Sequence, residues 1–160
     1  MLKALYDYGI RRGLALPPGF VRKTVKAYIS LTDTGGVAGI YQPEVDPVPC
    51  PDIGSSAQSK DKSNILAEKR SVVLPEKPTE KSAFFLETLR CAAEAEPDLE
   101  ICVRALEDPE TAAMLRAELD RAKIKGEDRI SFRVNGRSVL ESKNVRAWWQ
   151  EYRKQFFEDT

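Results

Sequence analysis

The stretch DRISFRVNGRSVLES, residues 128–142, is the clearest local signal of structure in this chain. Apolar and polar side chains alternate from Ile130 to Val134, a pattern that is typical of a half-buried β-strand. Asn135 and Gly136 follow at once, and this pair favours the two-residue type I′ turn, in which both residues take a positive φ. The stretch therefore predicts a β-hairpin in the C-terminal third of the chain.

A second hairpin is predicted upstream, in VKAYISLTDTGGVAGIYQ, residues 25–42. Apolar residues alternate from Val25 to Leu31, a glycine-rich turn follows, and the chain returns through Tyr41. The next segment has prolines at positions 43, 47, 49 and 51, which is too many for an interior strand. Beyond it, the apolar residues of NILAEKRSVVLP predict a further strand that ends at Pro75.

Helical signals occupy much of the remaining chain. Five helices are predicted, of which the first covers residues 2–13 and the last covers residues 143–158. Between them, one helix is capped by Thr79 and broken at Pro97, and a short one follows through Leu106. The next begins at Asp108-Pro109 and ends at Gly126.

Taken together, these elements predict an α+β fold. It consists of an antiparallel sheet built from two hairpins plus a strand, a cluster of about three helices between the hairpins, and a C-terminal helix. We expect a single domain over residues 1–160. Its parts are a helix, hairpin, polar loop and strand over 1–78, a helical insertion over 79–126, and a hairpin and terminal helix over 127–160.

The charges of the chain cancel in number but not in position. Residues 1–30 carry six basic and one acidic side chain, residues 92–128 carry five basic and eleven acidic ones, and residues 129–155 carry seven basic and two acidic ones. A chain with charge separated in this way is suited to lie between a nucleic acid and a neighbouring protein, although solvated helix faces produce the same pattern.

Several classes of protein are disfavoured by what the sequence lacks. There is no run of ~18 apolar residues, which predicts no membrane span, and Asp7, Arg11 and Arg12 stand where a signal peptide would be apolar. The three cysteines are far apart and histidine is absent, which argues against a disulfide scaffold, a zinc site and histidine-dependent catalysis. This cysteine usage favours the reducing cytoplasm.

No enzyme motif accounts for the remaining polar residues. The acidic residues cluster at predicted helix ends and exposed helix faces, where capping and solvation explain them, so a carboxylate-bound metal nuclease is not favoured. The phosphate-binding pattern GxxxxGK[ST] is absent. The sequence therefore predicts no catalytic residues, no metal and no cofactor.

Residues 49–64 are predicted to form a long polar loop, tethered between the first hairpin and the next strand. Its second part, GSSAQSKDKSN, is built from residue types that approach DNA closely and hydrogen-bond to bases or phosphates, although an inert surface loop has the same composition. The candidate nucleic-acid-binding residues of the loop are Gly54, Ser55, Ser56, Gln58, Lys60, Lys62, Ser63 and Asn64. A second rank of phosphate contacts is Lys69 and Arg70, and a third rank is Arg22, Lys23 and Lys26.

Two other groups of side chains leave alternatives open. The arginines of the 128–142 hairpin form either a phosphate-contacting ribbon or a solvated strand face. Trp148, Trp149 and Tyr152 either stack on unpaired bases or, as their helical spacing favours, pack in the core.

Several stretches, taken in order, resemble one protein family. The chain is similar to the large subunit of type I-C CRISPR surveillance complexes, the Cascade complexes, over essentially all of its length. The stretches are MLKALYDYGIRRGLALPPGF at 1–20, VPCPDIG at 48–54 with KSNILAEKRSVVL at 62–74, KSAFFLETLRCAAEAEPDL at 81–99, ISFRVNGRSVLES at 130–142 and VRAWWQEYRKQF at 145–156. Members of this family are several hundred residues long, so the resemblance implies the N-terminal domain of a longer protein.

The resemblance implies a non-catalytic role in antiviral defence. In such complexes the large subunit senses the protospacer-adjacent motif on duplex DNA and helps to begin strand separation, after which the guide RNA pairs with one strand. The implied partners are double-stranded target DNA, a CRISPR RNA ribonucleoprotein with backbone and 5′-handle-binding subunits, and a helicase–nuclease that the complex recruits. No membrane is implied.

The competing interpretation is a protein-interaction module that does not contact DNA. In that case the acidic segment 92–128 docks a neighbouring subunit or an anti-CRISPR inhibitor, and the polar loop is inert.

Overall fold

A computed structural model of the chain describes residues 16–43, 47–53 and 62–156, with side chains as far as residue 154. The helix predicted over residues 2–13 lies outside the described residues, and so do residues 54–61 of the polar loop. Within the described part, the strands are β1 (Phe20–Lys23), β2 (Ala27–Leu31), β3 (Val37–Tyr41), β4 (Val48–Pro51), β5 (Glu68–Lys69), β6 (Arg129–Val134) and β7 (Arg137–Ser138). The helices are α1 (Arg70–Val73), α2 (Glu80–Ala92), α3 (Pro97–Glu107), α4 (Pro109–Arg121) and α5 (Lys143–Tyr152), with 3-10 turns at Val139–Glu141 and Arg153–Phe156.

The predicted α+β class is confirmed, and both predicted hairpins are present. Strands β2 and β3 pair antiparallel, as do β6 and β7, and the turn residues Asn135 and Gly136 have φ values of 55° and 80°. The larger sheet has the order β3-β2-β6-β5, with β7 also on β6. The two hairpins meet through a parallel β2–β6 pair, so this sheet is mixed rather than wholly antiparallel.

A smaller sheet joins β1 to β4 in antiparallel register, from Phe20 opposite Pro51 to Lys23 opposite Val48. The proline-rich segment therefore lies at a sheet edge, in agreement with the expectation that it is not an interior strand. Strand β1 was not predicted, because its four residues show no clear alternation.

The strand predicted to end at Pro75 is wrong in its second half. Strand β5 ends at Lys69, and residues 70–73 form the helical turn α1. Val72, Val73 and Leu74 are all buried. Three consecutive buried residues do not distinguish a strand from a helix, since β2 also buries Ala27, Tyr28 and Ile29; the α1 turn is closed by the Leu74 N–H, which donates to the Arg70 carbonyl at 2.8 Å.

The helical cluster begins where the sequence predicts. Thr79 caps α2 in a reciprocal capping box with Ser82, and Asp108 caps α4 through the Thr111 N–H group. The predicted end of the last helix of this cluster is wrong, since α4 ends at Arg121 rather than at Gly126.

The C-terminal helix buries one of its two tryptophans. Trp149 is fully buried in α5, and its indole N–H donates to the carbonyl of Gly19 at 2.7 Å. Trp148 is half-buried and stacks on Tyr152, with ring centroids 4.6 Å apart. Core packing is therefore the role of Trp149.

The described residues contain no helix that is both long and apolar enough to cross a membrane.

Candidate nucleic-acid interface

The polar loop is held together at its base. The Asn64 side-chain Oδ1 accepts a hydrogen bond from the backbone N–H of Ile53, at 2.8 Å. Ile53 is fully buried and Asn64 is 3% exposed, so this bond is shielded from water. On the other side of the base, Asp52 forms an ion pair with Lys23 and donates its N–H to the carbonyl of Gly19. Both described ends of the loop are therefore held to the protein, but its predicted start at Pro49 is wrong, because Val48–Pro51 form strand β4.

Glu68 connects the loop base to the larger sheet. Its Oε1 atom accepts from the Asn64 N–H at 3.0 Å, and its Oε2 atom accepts from the Lys69 N–H at 2.8 Å. The Arg129 guanidinium lies 3.8 Å from Oε2, which is an ion-pair distance but too long for a hydrogen bond. Glu68 is 5% exposed, so these contacts compensate a buried carboxylate.

The sequence-predicted loop residues fall into two groups. Lys62 is half-buried, whereas Ser63 and Asn64 are buried. Asn64 uses its side chain within the protein, so a contact with DNA would require this buried bond to open. The other five lie outside the described residues: Gly54, Ser55, Ser56, Gln58 and Lys60.

The predicted second-rank phosphate contacts have different roles. The Arg70 guanidinium donates to the carbonyls of Ile124 at 2.6 Å and Arg116 at 3.3 Å, and it lies 2.7 Å from an Asp120 carboxylate oxygen. Its side chain is largely buried, so Arg70 ties α1 to the end of α4. The side chain of Lys69 is 47% exposed, and its partner Glu127, at 3.3 Å, is more exposed still. An exposed pair of this kind is weak, which leaves the Lys69 ammonium available to a ligand.

The third-rank residues also differ. Lys23 is bound to Asp52 and is mostly buried, whereas Lys26 is exposed. Arg22 is exposed and donates to the carbonyl of Pro47 at 3.3 Å.

Three cationic residues are neighbours across the larger sheet, and we call them the basic row: Lys26, which directly precedes β2, Arg129 in β6 and Lys69 in β5. The Lys26 N–H donates to the Arg129 carbonyl at 2.8 Å, and Arg129 is paired with Lys69 in the β6–β5 register. Residues paired directly across neighbouring strands present their side chains on one face. The fold thus places Lys26 and Lys69, about 40 positions apart in sequence, on either side of Arg129, whose guanidinium is largely buried beside Glu68.

The other hairpin arginines do not belong to the basic row. Arg133 lies over the ring of Tyr41 at 4.1 Å and donates to the carbonyl of Gly136 at 2.8 Å. Arg137 is exposed and lies 3.9 Å from Asp98. The geometry therefore does not favour a continuous row of phosphate-contacting arginines along this hairpin.

Cys50 lies in β4 next to the loop base and is buried. Burial raises the pKa of its thiol to about 11, although the nearby cations Lys23 and Arg129 oppose this. The thiol is therefore protonated at neutral pH, and it donates a weak hydrogen bond to the carbonyl of Val48 at 3.4 Å. It packs as a small apolar group rather than as a nucleophile.

No protein-family model matches the chain, and the comparison with curated proteins finds no match either.

Proposed function

We propose that this chain is a non-catalytic DNA-recognition domain of a type I-C CRISPR surveillance complex in the cytoplasm. It senses the protospacer-adjacent motif on duplex DNA and helps to begin strand separation. Its partners are target DNA, the CRISPR RNA ribonucleoprotein and the recruited helicase–nuclease. The proposal depends on the sequence resemblance described above and on one structural observation, the anchored loop base with the basic row beside it.

A buried residue, Glu68, connects the loop base to the basic row. Glu68 contacts Asn64 at the loop base and also lies next to Arg129 in the basic row. Contacts to phosphates position a protein on DNA, whereas polar groups that reach base edges read the sequence. Lys26 and Lys69 supply the first kind of group, and the polar residues beyond the loop base supply the second.

The competing interpretation needs a strongly acidic free surface on the helical cluster. Several of the acidic residues there are already paired: Glu107 with Arg90, Glu100 with Arg104, and Glu118 with Arg121. Asp120 is paired with Arg70. Arg70 and Arg90 lie outside residues 92–128 and offset two of its carboxylates, so the segment is less acidic in the fold than its composition indicates.

Binding of the chain to a fluorescent DNA duplex, measured as a function of salt, tests the proposal. The double variant Lys26→Gln/Lys69→Gln should bind more weakly, and its salt slope should become shallower by about 0.9 for each lost phosphate contact. Lys143→Gln is the matched control, because Lys143 is an exposed lysine on α5. Wild-type chain that does not bind the duplex, or a double variant that binds like wild type, would refute the proposed interface.

Sequence reading is tested separately with duplexes that carry a short randomised segment. Gln58→Ala should cost about 1–3 kcal/mol on the preferred duplexes and little on the others. An equal loss on all duplexes would assign Gln58 to backbone contact rather than to base reading.

A further inference from the structure

An open groove lies between α1 and the end of α4, on residues that the proposed DNA interface does not use. Its volume is about 690 Å³, and we call it the α1–α4 groove. The residues that matter for its chemistry are Leu74, Pro75, Arg116, Lys123, Ile124 and Lys125.

The groove has an excess of positive charge. Arg70 forms part of the wall, but its guanidinium is satisfied by Asp120 and by two backbone carbonyls. Arg116 makes one long hydrogen bond, at 3.5 Å, to the carbonyl of Pro75. Lys123 and Lys125 are exposed, and neither ammonium has an ion pair or a hydrogen bond within the described residues. Three cations therefore face a single unpaired carboxylate, that of Glu76.

Lys123 is held in a conformation that favours glycine. Its φ is +63°, directly after the end of α4. The Lys123 N–H donates to the Asp120 carbonyl and the Ile124 N–H donates to the Leu119 carbonyl, both at 2.9 Å. This is a Schellman motif, whose left-handed position is usually glycine because a Cβ atom is strained there. Glycine can therefore replace Lys123 without adding backbone strain, which allows its ammonium group to be removed without a cost in folding.

The charge pattern favours a peptide over a nucleic acid. The unpaired carboxylate of Glu76 would repel an evenly spaced phosphate backbone. An extended peptide can place separate carboxylates against Lys123 and Lys125 and still avoid Glu76. The apolar residues of its lining are the half-buried Pro75 and the almost fully buried Leu74 and Ile124, and Pro75 suits an apolar side chain between the acidic ones.

We propose that the α1–α4 groove binds an extended segment of a partner protein in which two acidic side chains flank an apolar one. This interaction is independent of the DNA interface, since it uses neither the basic row nor the loop base.

A blocked peptide of sequence Gly-Asp-Gly-Leu-Gly-Glu-Gly, which places its three side chains on one face of an extended chain, is titrated into isotope-labelled chain as the test. Its amide-matched control is Gly-Asn-Gly-Leu-Gly-Gln-Gly. The acidic peptide should shift the backbone-amide NMR signals of residues 70–76 and 116–126, whereas the control peptide should not. Absence of these shifts, equal shifts with the control peptide, or tighter competition by a short DNA duplex at the same amides would overturn the proposal.

The variant Lys123→Gly separates binding from folding. Glycine should relieve the backbone strain and raise Tm by about 2–4 °C, so weaker binding cannot be attributed to unfolding. Affinity for the acidic peptide should fall about two- to fivefold in Lys123→Gly and about tenfold in Lys123→Gly/Lys125→Gln. Lys143→Gln should leave it unchanged. Wild-type affinity in the double variant would rule out the groove as the peptide site.

Discussion

The substitution Asn64→Ala tests whether Asn64 holds the loop base or reads DNA. In the structure, its side-chain oxygen is the acceptor for the Ile53 N–H, and both residues are buried. Alanine would leave that N–H without a partner and away from water. A buried polar group that loses its partner costs about 1–3 kcal/mol. We therefore expect the free energy of unfolding to fall by that amount, with a decrease in Tm of about 2–4 °C per kcal/mol.

Two assays measure this effect at different scales. Urea unfolding gives the change in global stability, and hydrogen exchange follows the Ile53 amide itself. If exchange occurs through local opening of the loop base, the same 1–3 kcal/mol corresponds to about 5- to 150-fold faster exchange at Ile53. Asn144→Ala is the matched control, since Asn144 is exposed on α5, and its effect should lie within about 0.5 kcal/mol of zero.

The opposite result would be equally informative. If Asn64→Ala unfolds like wild type and the Ile53 amide exchanges at the wild-type rate, the buried hydrogen bond does not stabilise the loop base. If the same variant loses affinity for motif-bearing duplexes only, Asn64 reads a base, and its burial in the structure would be the wrong guide to its role.

Two further predictions concern stability. Because the Cys50 thiol has its pKa raised from 9.0 to about 11 by burial, the unfolded chain releases this proton at lower pH than the folded chain does. The contribution of this thiol to stability is therefore lost as pH rises from 9 towards 11. Over that range, urea unfolding should show a smaller decline in the free energy of unfolding for Cys50→Ala than for wild type. An equal decline in both proteins would contradict the burial argument. Gly19 and Gly35 both have positive φ, of 89° and 92°, but a Cβ atom at Gly19 would lie 2.3 Å from Cδ of Arg153, whereas one at Gly35 would meet nothing within 4 Å. In thermal unfolding, Gly35→Ala should lower the free energy of unfolding by about 1–2 kcal/mol through backbone strain alone, and Gly19→Ala should lower it by more. Equal decreases would mean that the Arg153 side chain moves aside without cost.

Features set by neighbouring residues could be predicted from the sequence. The Asn135-Gly136 turn and the Thr79 and Asp108 caps depend on a few adjacent positions, and each is present. The end of α4 was missed although its signal is local, because a lysine occupies the left-handed position where glycine is expected. Sequence preference pointed to Gly126, and the chain instead tolerates strain at Lys123.

Features that depend on distant residues could not be predicted. The parallel β2–β6 pair joins segments about 100 residues apart, and no periodicity within either segment encodes that register. The basic row depends on this pair, so Arg129 was recognised as a strand-face arginine but not as a neighbour of Lys26. For the same reason, the sequence does not reveal that Arg70 is held within the protein, because its partners lie on α4 and just beyond it.

Residues 64–70 show why composition alone overestimates a binding site. Asn64, Glu68, Lys69 and Arg70 are all polar or charged, and by chemistry alone the amide and the two cations are equally suited to DNA. The fold turns three of the four towards the protein and leaves the Lys69 ammonium at the surface. An alanine scan of this segment would therefore mix two effects, because the Asn64 and Arg70 variants lose stability before any DNA contact is tested. Lys69 changes charge without disturbing a buried partner, and for that reason its variants, rather than those of its neighbours, decide whether this surface binds DNA.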